Sequence, residues 1–359
     1  MKRILILTFL ITLSPVAFTT RFDNIIYRLE NLNPDNRHLV CSQSSPEVFL
    51  LIKNLNLGFN KLGDLKTYEL TALVNTLAKC TNLRALNLEG NNLSEFKNKR
   101  WLEFEKIMKQ FKILKVLIIG NNGLSSLSNE RWSSLCNVLS ISVYLEELDL
   151  SSNNLFELNN EQFLGLSNAF EGLTNLGTLN ISTNGLSKLG NRWPKFRKVI
   201  SNCKNLQALN LHNNNLVELD HRQWQQFKST FANCPKLILL DLSNNELNRL
   251  PPEEWSEIFK SIEEGCQRLI TLNISQNRLH EFDNSKWNQL VKELSACKKI
   301  KSIIVALNNT DLSMNKKKAL VDTGFKPSGE QSGSWNRIED LKDFLSSLGE
   351  VFSMFSPEQ

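Results

Sequence analysis

Residues 145–155 read LEELDLSSNNL, with leucine at Leu145, Leu148, Leu150 and Leu155 and asparagine at Asn153. Successive side chains of a strand leave on opposite sides. Leu148 and Leu150 therefore face one apolar layer, and Glu147 and Asp149 face the other way. Asn153 follows the strand, where a side-chain amide can bond backbone groups as the chain turns. So short a run cannot cover both flanks of its own leucine layer. It is stable only if similar runs lie on either side of it.

The chain supplies those neighbours. The first apolar position recurs at Ile52, Leu83, Leu114, Leu145, Leu176, Leu206, Leu237, Leu269 and Ile300, spaced 30–32 residues apart. The turn asparagine keeps step at Asn60, Asn91, Asn122, Asn153, Asn184, Asn214, Asn245, Asn277 and Asn308. Buried amides are tolerated only when bonded, so this row predicts a ladder in which each asparagine ties its turn to a neighbour's backbone. Between the strands, Trp101, Trp132, Phe163, Trp193, Trp224, Trp255 and Trp287 recur with nearly the same period. Apolar residues follow each at the third and seventh positions, one stripe of an α-helix. Each unit is thus strand, turn, helix and return loop. The aromatic row reads as the inner face of helices packed on the sheet, and Pro251-Pro252-Glu253-Glu254 marks a helix start.

The pattern L-x-x-L-x-L-x-x-N-x-L, repeated nine times over about residues 50–312, resembles the leucine-rich repeat superfamily. The long unit with its helix resembles the ribonuclease-inhibitor-like class. That resemblance implies an α/β solenoid, or horseshoe, of nine repeats of about 31 residues, with parallel strands on the concave side and α-helices on the convex side. It also implies a protein that binds other proteins. The Trp-bearing helices and Asn- and Lys-rich composition further resemble leucine-rich repeat effectors of intracellular bacteria such as Legionella. Those reach host cells through a type IV secretion system.

Outside the array the expected organisation is simple. Residues 1–20 carry Lys2-Arg3, then the apolar run Ile4–Leu13, as a signal peptide or an apolar N-terminal segment would. Residues 21–50 read as an N-terminal cap with a short amphipathic helix on Phe22, Ile25, Ile26, Leu29 and Leu32. Leu13-Ser14-Pro15, Ile26, Leu29, Leu32 and Leu39-Val40-Cys41 loosely resemble an F-box, although Pro15 and Ile26 stand too far apart. Residues 51–318 form the solenoid, with Thr310 in place of the last leucine. Residues 319–335 read as a flexible linker, on Gly324, Pro327, Gly329 and Gly333. Residues 336–359 read as a C-terminal amphipathic helix capped by Asn336, with Ile338, Leu341, Phe344, Leu345, Leu348 and Phe352 on one stripe.

Composition narrows the function. The chain is 41% hydrophobic and 22% charged, as folded proteins are, with a net charge of +5. That mild excess falls short of a nucleic-acid binder's basic face. It is concentrated in Lys298, Lys299 and Lys301 and in Lys316, Lys317 and Lys318, read as a solvated edge. Cys80, Cys203, Cys234, Cys266 and Cys297 each stand three residues before a first strand apolar position, the place for a small buried thiol. Cys41 and Cys136 fit no such series. Unpaired buried thiols suit a reducing compartment. The sequons at Asn92, Asn180, Asn273 and Asn308 read as repeat chemistry. No nucleotide, hydrolase or zinc motif occurs, so no cofactor, metal or catalytic residue is implied.

Alternation also gives the open face of the sheet. Most of its residues are small and polar. The exceptions are the apolar pair Val116 and Ile118, the acidic pair Glu147 and Asp149, and His212 with Leu239. These six are the candidate partner-binding residues, although Asn or Asp at the mid-strand position also belongs to the repeat pattern. The expected function is a non-enzymatic scaffold binding a protein partner, with no nucleic acid, no membrane span and a monomeric state. A bacterial effector in a host cell is the favoured setting, secreted or translocated to the host cytosol, and otherwise cytoplasmic. The alternatives are a ubiquitin-ligase-type substrate adaptor and an exported periplasmic or surface binding module.

Overall fold

The computed structural model describes residues 27–28, 46–297, 300, 302–305, 312–327 and 334–336. The signal-like segment, most of the F-box-like spacing, Cys41, Asn308, Thr310, the lysines Lys298, Lys299 and Lys301, and the helix expected beyond Asn336 lie outside these residues.

After β1 (Tyr27–Arg28) and α1 (Pro46–Leu51), strands and helices alternate. They run β2 (Asn54–Asn56), α2 (Thr67–Leu77), β3 (Ala85–Asn87), α3 (Asn98–Met108), β4 (Val116–Ile118), α4 (Asn129–Ser140), β5 (Glu147–Asp149) and α5 (Asn160–Gly172). The second half continues β6 (Thr178–Asn180), α6 (Trp193–Asn202), β7 (Ala208–Asn210), α7 (His221–Phe231), β8 (Leu239–Asp241), α8 (Pro252–Gly265), β9 (Thr271–Asn273), α9 (Asn284–Ala296) and β10 (Ser302–Ile304). The last described elements are α10 (Met314–Asp322), β11 (Lys326–Pro327) and β12 (Ser334–Asn336). Strands β1 to β10 pair in parallel in sequence order, and β12 and β11 finish the edge antiparallel. This is the expected open solenoid, with leucines between sheet and helices. Leu145, Leu148, Leu150 and Leu155 expose 2% of their surface or less.

The aromatic row lies in that core. Trp101, Trp132, Phe163, Trp193, Trp224, Trp255 and Trp287 are all buried, and Trp193 meets Phe227 of the next unit edge-on at 5.9 Å. Several indole N–H groups are satisfied by the following repeat. Trp101 Nε1 donates to Ser134 Oγ at 2.9 Å and Trp132 Nε1 to the Gln162 carbonyl at 2.8 Å. Helix starts are capped as a first turn requires: Asn159 accepts from the Gln162 amide and Asp220 from the Gln223 amide, each in a capping box. Pro252 takes the first helical position, with Glu253 and Glu254 in the first turn.

The asparagine ladder forms as the repeats predict. Each side-chain oxygen accepts the backbone N–H of the preceding ladder asparagine at 2.7–3.0 Å, from Asn60 to Asn245. Each amide nitrogen donates backward. Asn153 Nδ2 reaches the carbonyls of Ile119, Leu150 and Ser151 at 2.9–3.1 Å. Residues on both sides of a ladder asparagine adopt the left-handed conformation, as Ser152 (φ 53) and Asn154 (φ 55) do around Asn153. This tight double bend aims the amide into the stack.

The cysteine series Cys80, Cys203, Cys234, Cys266 and Cys297 is buried, and Cys203, Cys234 and Cys266 are free thiols. Cys203 and Cys234 donate weakly to carbonyls one turn back in their own helices. Cys136 is buried as well, on α4, and burial pushes the thiols of Cys136 and Cys234 up to about 12.

The ends differ from expectation in two places. Tyr27–Arg28, expected within a short helix, instead pairs in parallel with β2. The open edge of a sheet offers unpaired N–H and C=O groups, and this edge outweighs a weak local helical pattern. The stretch 319–335, expected as a linker, contains the end of α10, β11 and the start of β12. Leu320, Phe325 and Trp335 join the core. Glycine and proline mark turns there, but the exposed apolar end of the last repeat requires a lid, and three apolar residues supply it.

Candidate functional site

The repeat register aligns the open-face residues in rows across the strands. The first row runs Asn54, Ala85, Val116, Glu147, Thr178, Ala208, Leu239, Thr271 and Ser302. The second, two residues further along each strand, runs Asn56, Asn87, Ile118, Asp149, Asn180, Asn210, Asp241, Asn273 and Ile304.

The second row is structural chemistry. In seven strands its side-chain oxygen accepts the N–H two residues on, at 2.7–3.0 Å, ending the strand with a local turn. Asp149 is fully occupied in this way: Oδ1 accepts from the Ser151 N–H and Oδ2 from Asn180 Nδ2 at 2.7 Å. Burial pushes its carboxyl up, opposed by the bonds from Ser151 and Asn180. Asn180 and Asn273, two of the sequons, are likewise buried and bonded, Asn273 to Asp241 Oδ2. Ile118 breaks the row, offering a half-buried apolar surface where its neighbours carry amides or acids.

The first row has no shared chemistry, and Glu147 is its one charged residue. Glu147 is only 6% exposed and makes no hydrogen bond or ion pair with the described residues. Burial, and then the charge of Asp149, push its carboxyl from the ordinary 4.5 up to about 7. Val116 stands directly beside Glu147, and Ile118 beside Asp149. Four of the six candidates therefore form one patch on β4 and β5.

His212 and Leu239 lie elsewhere. His212 lies in the turn just after β7 and Leu239 on β8, and β7 is two strand spacings from β5, about 10 Å at ~4.8 Å per strand. His212 Nδ1 is 2.8 Å from Ser243 Oγ, which donates to Asp241 Oδ1 at 2.5 Å. Burial lowers the imidazole's affinity for a proton, and the Asp241 charge opposes that. Histidine, serine and aspartate meet here, but in the wrong order for a nucleophile. The hydroxyl proton goes to the carboxylate, and the imidazole bonds the oxygen without standing between the two. Leu239 has 0% of its surface exposed, so the expectation of an open leucine is not met. It is shielded on the concave side and stands outside the apolar cluster behind the sheet. Alternation fixes which side a residue leaves the strand, not what lies over it. The face as a whole follows this division. First-row residues on β2 to β4 are half-buried, whereas Glu147, Ala208, Leu239, Thr271 and Ser302 are buried.

The sequence reading missed a convex row of residues standing just before the aromatics. Arg100 Nη1 donates to the carbonyls of Gly63 and Leu65, and Arg131 Nη1 to those of Ser94 and Phe96 at 2.7–2.9 Å. Gln162 Nε2 does the same to Leu127. Lys316, expected on a solvated edge, occupies the equivalent place in α10. It is 5% exposed and donates to the His280 carbonyl at 2.6 Å with its ammonium over Trp287. The signal available was position, a cationic or amide residue immediately before the tryptophan in Arg100-Trp101, Arg131-Trp132 and Arg192-Trp193. Among the described residues no His, Cys, Asp and Glu cluster is placed to hold a metal ion. No helix among them is long and apolar enough to cross a membrane.

A leucine-rich repeat family model matches residues 144–166 and 236–258, the units of β5 and β8. No curated protein matches the chain. Among solved structures, the leucine-rich repeat-containing protein LegL7 from Legionella pneumophila matches with a TM-score of 0.57 and 20% identity. The match covers 85% of this chain and 100% of that one. With nine repeats in register, the chain has the α/β solenoid build of leucine-rich repeat proteins. At that identity the Legionella structure shares the fold.

Proposed function

We propose that the chain is a non-enzymatic interaction scaffold that presents its concave sheet to a protein partner. Leucine-rich repeat domains generally bind proteins. A curved, pre-formed sheet loses little conformational freedom when a partner docks. The observation that carries the proposal is the patch on β4 and β5. There the second-row repeat chemistry lapses at Ile118, leaving Val116 and Ile118 half-buried beside the unpaired Glu147 on the next strand. We place the protein as a bacterial effector acting inside a host cell. The likeness to a Legionella solenoid and the free buried thiols, which suit a reducing compartment, support that setting.

The experiment is site-specific photo-crosslinking in host-cell extract. A photo-reactive side chain replaces Ile118 on the concave face or Leu102, which is 62% exposed on convex helix α3. The expected result is a discrete adduct from position 118 and none from position 102. Equal adducts from both positions sink the reading.

A further inference from the structure

We propose that Glu147 is the recognition charge of the concave face and receives a lysine or arginine side chain from the partner, with an adjoining apolar residue of the partner resting on Val116 and Ile118. This rests on the concave-face reading above and names the chemistry of the partner.

The two acids of the patch differ in what their oxygens do. Asp149 spends both on bonds that end strands and join β5 to β6. Glu147, 6% exposed, has no such bonds. A carboxylate withdrawn from water without a donor is unfavourable, and the repeat does not need one, since Ala85, Val116, Thr178 and Ala208 fill the same row. No cation faces it from either flanking strand. Val116 and Ile118 stand on β4, and Thr178 and Asn180 on β6. On its own strand the other titratable group facing that way is Asp149, which adds negative potential. The nearby Lys115 is engaged with Glu146, at 2.6 Å.

The shape of the site selects its ligand. So little of Glu147 is open that only a slender group on a flexible stem reaches it, which describes an ammonium or guanidinium and excludes a flat apolar surface. Once seated, such a cation makes a pair largely hidden from water, the kind whose loss weakens binding most. Binding then falls as Glu147 takes up a proton. Its high proton affinity sets that fall near neutrality, above the range of an ordinary carboxylate.

The test selects a random heptapeptide library on the full chain at about pH 8 and measures the selected peptides against variants, with an expected loss of about tenfold or more for Glu147→Gln. The proposal expects selected peptides rich in lysine or arginine beside an aliphatic or aromatic residue. It expects the same loss in wild-type protein on acidification to about pH 5.5. Peptides that lose binding to Ile118→Arg but ignore Glu147→Gln and carry no basic residue overturn it while leaving the concave-face reading intact. Peptides indifferent to Ile118→Arg overturn that reading as well. A library with no enrichment of basic over neutral peptides overturns it too. Carbon NMR titration of the Glu147 carboxyl in the free chain is an independent check. A midpoint near or below 4.5 shows that the carboxyl is hydrated or already held by a donor of the chain itself, and the proposal fails.

Discussion

The turn asparagines and the first row of the concave face occupy the same nine repeats, a few residues apart, and could hardly differ more. In the turn row every described member is asparagine and buried, and from Asn91 to Asn245 each is bonded to the units on either side. In the first concave row asparagine, alanine, valine, glutamate, threonine, leucine and serine follow one another in register. The turn row does the same work each time, since each unit needs its neighbour's amide to satisfy its own backbone. The concave row has no such work, because strand pairing uses only the backbone. Its residues can vary without disturbing the stack, and variation is what recognition of a particular partner requires. The second concave row lies between. Its asparagines and aspartates close local turns, and Ile118 departs from them where the surface is apolar.

The contrast can be broken at four points. Leu150→Asp attacks what both rows share, the core. A carboxylate at a site 1% exposed costs about 4 kcal/mol or more. Loss of the cooperative circular-dichroism melt, with hydrogen exchange opening first around β5, is the expected result. Asn153→Ala attacks the ladder alone. It strands the N–H groups of Asn122 and Leu124, which its oxygen accepts at 3.0 and 3.2 Å, and should cost about 3 kcal/mol in a denaturant melt. Asn121→Gly, beside the ladder but outside it and exposed, keeps the left-handed conformation of that position (φ 52) and should cost less than about 1 kcal/mol. Equal losses at 121 and 153 would remove the basis for calling the ladder structural.

Glu147→Gln tests the concave row with the opposite sign. The folded state holds the Glu147 proton more tightly than the unfolded chain does. Its contribution to stability is therefore greatest below 4.5 and is lost as pH rises to about 7. The amide variant lacks that loss, so it should exceed wild type by on the order of 2 kcal/mol near pH 8 and match it near pH 4. Melts at both pH values measure the difference, and a destabilised variant at high pH would mean that the carboxylate has a donor. The smallest effect is expected of Ile118→Asn, which restores the second-row bond to Gly120 N–H in place of an apolar contact and should move stability by less than about 1 kcal/mol. Its melting curve should stay close to wild type while peptide binding to the patch falls.

Much of this molecule can be read from its sequence because a repeat states the same physical requirement many times. One L-x-x-L-x-L-x-x-N-x-L run is a motif, but nine in register give strand order, helix side and the ladder before any coordinate is known. The candidate site was legible in part. Val116, Ile118 and Glu147 stand out because they are apolar or charged on a face whose residues are mostly small and polar, and such exceptions are visible in sequence. Asp149 also stood out, yet its oxygens belong to the repeat. Leu239 appeared open and is buried. The cap of Leu320, Phe325 and Trp335 was hidden among glycines and prolines, since a lid is needed once and so leaves no period.

Two kinds of information separate here. Sequence alone determined the solenoid, its register and which side of the sheet each strand residue leaves. Those follow from hydrophobic period and backbone geometry, which act locally and recur. Only the tertiary structure decided which open-face polar groups are spent and which remain free. That depends on what each oxygen meets across the strands. Asp149 meets Asn180 some thirty residues away, whereas Glu147 meets valine and threonine.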